Sequence, residues 1–216
     1  MINTSTIQVM LVDDHAVVRM GFRLLLEGAP DIKVVAEAVS GEEACRIYQE
    51  KHPDVVVMDI SMPGIGGLEA VNRIIAKDPA AHILVLSAHE DTMHPRRVLR
   101  AGALGYLSKR SAAEELIQAI RQVAQGKTFI EPGIAQQLAM QQLTGDKNPV
   151  DVLSAREFEV FMLLAQGKKV ADIAAMLHLS PRTVGTHLYN IKHKLNASNS
   201  AEIALIAMRA GLIQNS

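Results

Sequence analysis

The first 125 residues alternate two kinds of segment, and this alternation constrains the fold more than any other feature. Short apolar runs rich in β-branched residues recur at Ile7-Gln8-Val9-Met10-Leu11-Val12, Ile32-Lys33-Val34-Val35-Ala36, Val55-Val56-Val57-Met58, Ile83-Leu84-Val85-Leu86 and Leu104-Gly105-Tyr106-Leu107. Between them apolar residues fall at helical spacing, as in Val18, Phe22 and Leu25 or Leu116, Ile117, Ile120 and Val123. Strands apolar on both faces belong in a parallel sheet covered by helices on each side. Five such β-then-α units predict an α/β domain with a doubly wound five-stranded parallel sheet. A sheet of this kind binds its ligand beyond the carboxyl ends of its strands.

Those strand ends carry a consistent chemistry. Asp13 and Asp14 follow the first strand, Asp59 the third, Ser87 ends the fourth and Lys109 the fifth. Carboxylates gathered at one sheet edge repel one another unless a cation lies among them, and hard oxygen donors suit Mg²⁺. A cation, an ammonium and a hydroxyl around one carboxylate make a receptor for a phosphoryl group. Singly, each residue reads as a turn, cap or solvated charge; the five together define a candidate site.

Beyond residue 125 the pattern changes. Gly126 and Pro132-Gly133 bracket a break, Ile134 to Leu143 suit a short Gln-rich helix, and Thr144-Gly145-Asp146-Lys147-Asn148-Pro149 reads as a linker. The expected divisions are 1–125, a linker over 126–150, and a second domain over 151–216. From Leu153 strand signals vanish, and helices are expected at about 154–166, 170–177, 181–195 and 200–210, making a small all-α four-helix domain. Within it, Ser180 is a good N-cap, Pro181 suits a first helical position, and Ala174 lets two helices approach, which describes a helix-turn-helix. In the helix after the turn, Val184, Leu188, Ile191 and Leu195 form an inward stripe. Arg182, Thr186, Tyr189 and His193 lie about 200° around, flanked by Thr183, His187, Asn190 and Lys194. A polar face of this composition is either solvated or enters a major groove. His187 and His193 sit on different helix faces, which argues against a shared metal site.

Two sets of motifs resemble known families. Val12-Asp13-Asp14-His15, Met58-Asp59-Ile60-Ser61-Met62-Pro63-Gly64, Leu86-Ser87-Ala88 and Gly105-Tyr106-Leu107-Ser108-Lys109 resemble the receiver domain of two-component response regulators, a flavodoxin/CheY-like fold. The resemblance implies that Asp59 accepts phosphate from a sensor histidine kinase. It implies that Asp14, Asp59 and the Ser61 carbonyl bind Mg²⁺, with Asp13 alongside through water, and that Ser87 and Lys109 contact the phosphoryl oxygens. It also implies a switch in which Ser87 moves toward the phosphoryl group and Tyr106 turns inward behind it. Ser61 and His89 take the positions that flank the attacking water. Leu153-Ser154-Ala155-Arg156-Glu157-Phe158-Glu159-Val160, Leu164-Ala165-Gln166-Gly167, Asp172-Ile173-Ala174, Ser180, Thr183-Val184, His187, Ile191 and Lys194-Leu195 resemble the LuxR-type DNA-binding domain. Together the halves resemble the NarL/FixJ class, nearest its GacA/UvrY subgroup. The implied partners are double-stranded promoter DNA, a cognate kinase and a second copy of the chain when phosphorylated. The candidate DNA contacts are Lys168, Lys169, Ser180, Arg182, Thr183, Thr186, His187, Tyr189, Asn190, Lys192 and Lys194.

Three departures qualify the match. Arg110 stands where many receivers have a cis proline, so the geometry of the 109–110 peptide is open. Val170-Ala171 replaces Asn and a basic residue, and Gly185 replaces a lysine that contacts DNA. Lys168 and Lys169 are the candidates to supply the missing charge.

Charge and composition narrow the class. Residues 1–149 hold 15 Lys and Arg against 18 Asp and Glu, whereas 150–216 hold 7 against 5. An acidic front and a mildly basic back suit modules with different partners. Aromatic content is 3% with no Trp, which disfavours recognition by base stacking. A lone Cys45, no long apolar run and no basic leader point to a cytoplasmic protein away from membranes. Two other classes compete. An Asp-nucleophile phosphatase of the haloacid-dehalogenase type needs a second Asp two residues after the nucleophile, where this chain has Ser61, so turnover is not expected. An adaptor whose helical tail never reads DNA is the third possibility.

Overall fold

The computed structural model describes residues 6–88, 93–111, 113–144, 149–210 and 212–213, with backbone alone for 93, 94, 137 and 141–144. His89 and linker residues 145–148 lie outside the described residues. The chain divides into two compact units, Met1–Leu138 and Ala139–Ser216. Among the described residues no helix is long and apolar enough to cross a membrane.

In the first unit the apolar runs become β1 (Ile7–Val12), β2 (Ile32–Ala38), β3 (Val55–Asp59), β4 (Ile83–Ser87) and β5 (Gly105–Ser108). They alternate with α1 (Ala16–Glu27), α2 (Gly41–Lys51), α3 (Gly66–Lys77), α4 (Met93–Arg100) and α5 (Ala113–Ala124). Every strand pair is parallel, and the order is β2-β1-β3-β4-β5-β6. The chain therefore winds one way from β1 to β2 and the other way from β3 onward. That places the switch point between β1 and β3, whose ends carry Asp13, Asp14 and Asp59.

The sheet has six strands, not the expected five. The addition is β6 (Phe129–Ile130), paired with Gly105 and Tyr106 inside the segment read as linker. Two half-buried residues are too short for a strand's alternation to register, and the flanking Gly126 and Pro132 read as a break. Gly126 has φ +71 and ends α5, while Pro132 opens α6 (Pro132–Thr144).

Both sheet faces are covered. Val9, Leu11, Val55, Val57, Leu84 and Leu86 pack with Leu26, Leu116, Ile120 and Val123. The alternate residues Met10, Val56, Met58 and Val85 are equally buried. Each such side chain contributes about 1.5–3 kcal/mol through burial, which fixes the register that sets the strand ends side by side.

The second unit holds a 3₁₀ turn (Pro149–Val152), α7 (Ala155–Ala165), α8 (Val170–Met176), α9 (Pro181–Leu195) and α10 (Ser200–Arg209). Three of these helices, α7, α9 and α10, start at side-chain caps. Ser154 and Glu157 form a reciprocal capping box, Ser180 Oγ accepts from the Thr183 N–H, and Asn199 accepts from the Glu202 N–H. The core is Val150, Leu153, Phe158, Phe161, Ile173, Val184, Ile191, Ile203 and Ala207.

Candidate functional site

The carboxyl edge of the sheet gathers the predicted acidic residues. Asp59 is the last residue of β3, 2% exposed, and Asp13 follows β1 at 3%. The backbone around them is held from both sides. The Asp13 N–H donates to the Ala38 carbonyl and the Ile60 N–H to the Leu86 carbonyl. After β3 the chain turns sharply, with Gly64 and Gly66 at positive φ. A Cβ on Gly67 would stand 2.0 Å from the Asp59 carbonyl oxygen, so only glycine lets α3 start this close to the acid.

Lys109, just past β5, reaches across this edge. Its Nζ lies 2.7 Å from Asp13 Oδ2 and 2.7 Å from Asp59 Oδ2. Asp59 Oδ1 accepts from the Ser61 N–H at 3.1 Å. The His15 N–H donates to Asp13 Oδ1, and the His15 imidazole Nδ1 stands 3.0 Å from Asp14 Oδ1. Asp13, Asp14, His15 and Asp59 each offer one ligand atom within 4.8 Å of the others. Asp14 Oδ1 is buried, with the His15 imidazole as its neighbour. Three carboxylates against one ammonium form a set that could bind a metal cation.

Electrostatics follow from burial. Desolvation pushes the Asp59 carboxyl above its ordinary range, opposed by the Lys109 ammonium. Burial pulls the Lys109 ammonium down, but Asp59 and Asp13 more than offset it and hold it above its usual value. The lysine is therefore charged, and it stands directly against the carboxylate.

Ser87 and Tyr106 are both fully buried, at the end of β4 and within β5. Ser87 pairs in register with Ser108, and its carbonyl accepts from the Lys109 N–H at 2.8 Å. The 109–110 peptide is trans, since no cis bond occurs among the described residues. One basic group went unread in the sequence. Arg19 on α1 donates to the Asp13 carbonyl at 2.8 Å and to Glu37 Oε2 at 2.7 Å, bracing the acidic turn from behind. Its signal, an arginine about one and a half turns after an acidic pair, is too common to stand out.

The second unit presents the helix-turn-helix as α8 and α9. The turn lacks glycine, and His178 supplies the left-handed residue at φ +50. The inward stripe is present: Val184 and Ile191 are fully buried and Leu188 and Leu195 partly so. Arg182, Thr186, Tyr189 and His193 are exposed, Tyr189 at 71%. Thr183, His187, Asn190 and Lys192 are half-buried, while Lys168 and Lys169 are exposed before α8. Several side chains have internal partners. Ser180 and Thr183 bond each other within the cap, and Lys192 Nζ donates to the Ser198 carbonyl at 3.1 Å. Lys194 Nζ lies 2.6 Å from Glu157 Oε2, so its charge is already balanced within the unit. Arg156 donates to the Leu177 carbonyl at 2.7 Å and ties α7 to the helix-turn-helix turn.

Residues 9–121 match the response regulator receiver domain, and residues 151–207 match bacterial regulatory proteins of the luxR family. The chain belongs to the response regulator family. Over 96% of its length this response regulator is 41% identical to response regulator GacA of Pseudomonas aeruginosa, covering 98% of that protein. It is 43% identical over 95% of its length to response regulator UvrY of Escherichia coli, covering 95% of it. Among solved structures it is similar to RcsB from Salmonella enterica serovar Typhimurium bound to promoter rprA in the presence of phosphomimetic BeF3-. That similarity has a TM-score of 0.64 and 25% identity, over 94% of this chain and 98% of that one. The response regulator is thus a two-domain regulator of transcription with a LuxR-type DNA-binding domain.

Proposed function

We propose that this response regulator takes a phosphoryl group on Asp59 from a sensor histidine kinase and that this controls promoter binding by its second domain. The observation that carries the reading is Lys109 Nζ, 2.7 Å from both Asp13 and Asp59 at the switch-point edge of the sheet. In the transfer an Asp59 oxygen forms the bond to phosphorus as the P–N bond of the donor phosphohistidine breaks. Lys109 neutralises phosphoryl oxygens, and Ser87 supplies a hydroxyl to them. Asp14, Asp59 and the Ser61 carbonyl would hold Mg²⁺ directly, with Asp13 through water. Bound there, the ion supplies charge neutralisation for the transferring group.

The output reading rests on the exposed face of α9 with Arg182, Thr186 and Tyr189, flanked by half-buried Asn190 and supported by Lys168, Lys169 and Lys192. Ser87 and Tyr106 form the switch, biased by the added charge. On α10, Ile203 and Ala207 are buried while Leu205 and Met208 are exposed, an apolar remainder suited to pairing two copies on DNA. The protein acts in the cytoplasm and does not turn over substrates; phosphoryl gain and loss at Asp59 are its only chemistry.

The test is intact-protein mass spectrometry after incubation with acetyl phosphate and Mg²⁺. Wild type gains one phosphoryl mass and Asp59→Asn gains none. A wild type without mass gain, or an Asp59→Asn variant with it, overturns the assignment.

A further inference from the structure

The residue immediately after β6 links the phosphoacceptor edge to the helix that leads out of the first unit. Glu131 precedes α6, and the division between the two units falls inside that helix, after Leu138. Its position would suit a helix N-cap, whose side chain normally bonds the first turn of its own helix. Glu131 instead turns back to β5. Its N–H donates to the carbonyl of Tyr106 at 3.2 Å. Its Oε2 accepts from the Ser108 N–H at 3.0 Å and from the Ser111 hydroxyl at 3.0 Å. Its carbonyl accepts from the Ala135 N–H at 2.9 Å, the first turn of α6.

One residue thus bonds both flanks of Lys109, the backbone of the strand carrying Tyr106, and the start of α6. Ser108 and Ser111 bracket Lys109, whose ammonium sits on Asp59. A charged acceptor holding two donors is about twice as strong as a neutral one. Movement of the Lys109 loop or of β5 must therefore carry the head of α6 with it or break these bonds.

We propose that Glu131 is a positioning residue that couples occupation of the Asp59 pocket to α6, and so to the chain segment entering the DNA-binding unit. The inference rests on the phosphoacceptor reading. Its test follows hydrogen exchange by mass spectrometry in the intact chain, with Mg²⁺ and beryllofluoride as the probe, in peptides covering 104–111 and 131–144. Acetyl phosphate uptake at Asp59 is measured in parallel. In wild type the probe changes exchange at the head of α6. In Glu131→Ala uptake at Asp59 persists, while the exchange response of α6 shrinks by about tenfold, the scale of ordinary inter-site coupling. Glu131→Gln keeps an acceptor oxygen without the charge and falls between the two. Because it is nearly isosteric, it serves alone if the alanine variant does not fold. A wild-type α6 response in Glu131→Ala, or in Glu131→Gln when that variant stands alone, overturns the coupling and leaves the phosphoacceptor reading intact. So does loss of uptake in either variant, which would make Glu131 part of the pocket. Failure of wild type itself to take up phosphate overturns both.

Discussion

Replacing Gly185 by alanine should stabilise the DNA-binding unit, and the size of the effect can be worked out. Gly185 lies inside α9 between the cap at Ser180 and the buried Ile191, and it is exposed. Its φ is not in the left-handed region, and a Cβ built there meets nothing within 4 Å. No clash, burial or strain therefore opposes the substitution. What remains is helix propensity, about 0.8–1.0 kcal/mol in favour of alanine, arising from the lower conformational entropy of the unfolded chain. For a domain of roughly 60–100 residues, 1 kcal/mol moves Tm by about 4–8 °C. In native-state hydrogen exchange, the slowest amides of α7 and α9 should slow by about fivefold. Unchanged or faster exchange would refute the reasoning, because it would mean the backbone at 185 is not a plain helix interior. Gly185→Lys should keep most of the gain. If α9 faces DNA, it should also steepen the slope of log affinity against log salt by about 0.9, one added phosphate contact.

Further outcomes follow from the same geometry. Glu157 is held below its ordinary carboxyl range: burial raises it, but Lys194 and the Ser154 cap more than compensate. The stability it contributes is complete above pH 4.5 and lost as pH falls through the lower folded value. Glu157→Gln should flatten that acid limb and cost about 1–3 kcal/mol at neutral pH in urea unfolding. His187 shifts in the same direction, with the same sign of pH dependence. Burial and then Arg156 hold it below 6.5 against the pull of Glu157, so it is neutral at pH 7. The unfolded chain takes the proton first, so stability is complete above pH 6.5 and declines below it until the folded pKa is passed. His187→Asn should remove this slope. Alanine at Thr186, Tyr189 and Lys192 together should abolish promoter binding in fluorescence anisotropy while leaving acetyl phosphate uptake at Asp59 unchanged; retained binding would favour the adaptor reading. Lys194→Met should lower the stability of the unit more than it flattens the salt slope of DNA binding, since the ammonium is paired with Glu157.

The sequence by itself determined the layered α/β half, the four helices that follow it and the acidic pocket. Strands apolar on both faces fit only a covered parallel sheet, and the pocket residues occupy strand ends that can be counted along the chain. The cap at Ser180 and the inward stripe of α9 were legible for the same reason, because each depends on neighbours within a few residues. Other features depended on groups far apart in the chain. β6 is too short to announce itself and exists because β5 offers it an unpaired edge. Lys194 reads as a cation beside a polar face, yet Glu157 from α7 claims it. Arg19 on the Asp13 carbonyl, His178 in the left-handed turn and Glu131 folded back onto the Lys109 loop have no periodic signal at all. A local pattern records which backbone conformation and which face a residue prefers. Which donor meets which acceptor is decided only when the burial of the core brings distant segments within hydrogen-bond distance.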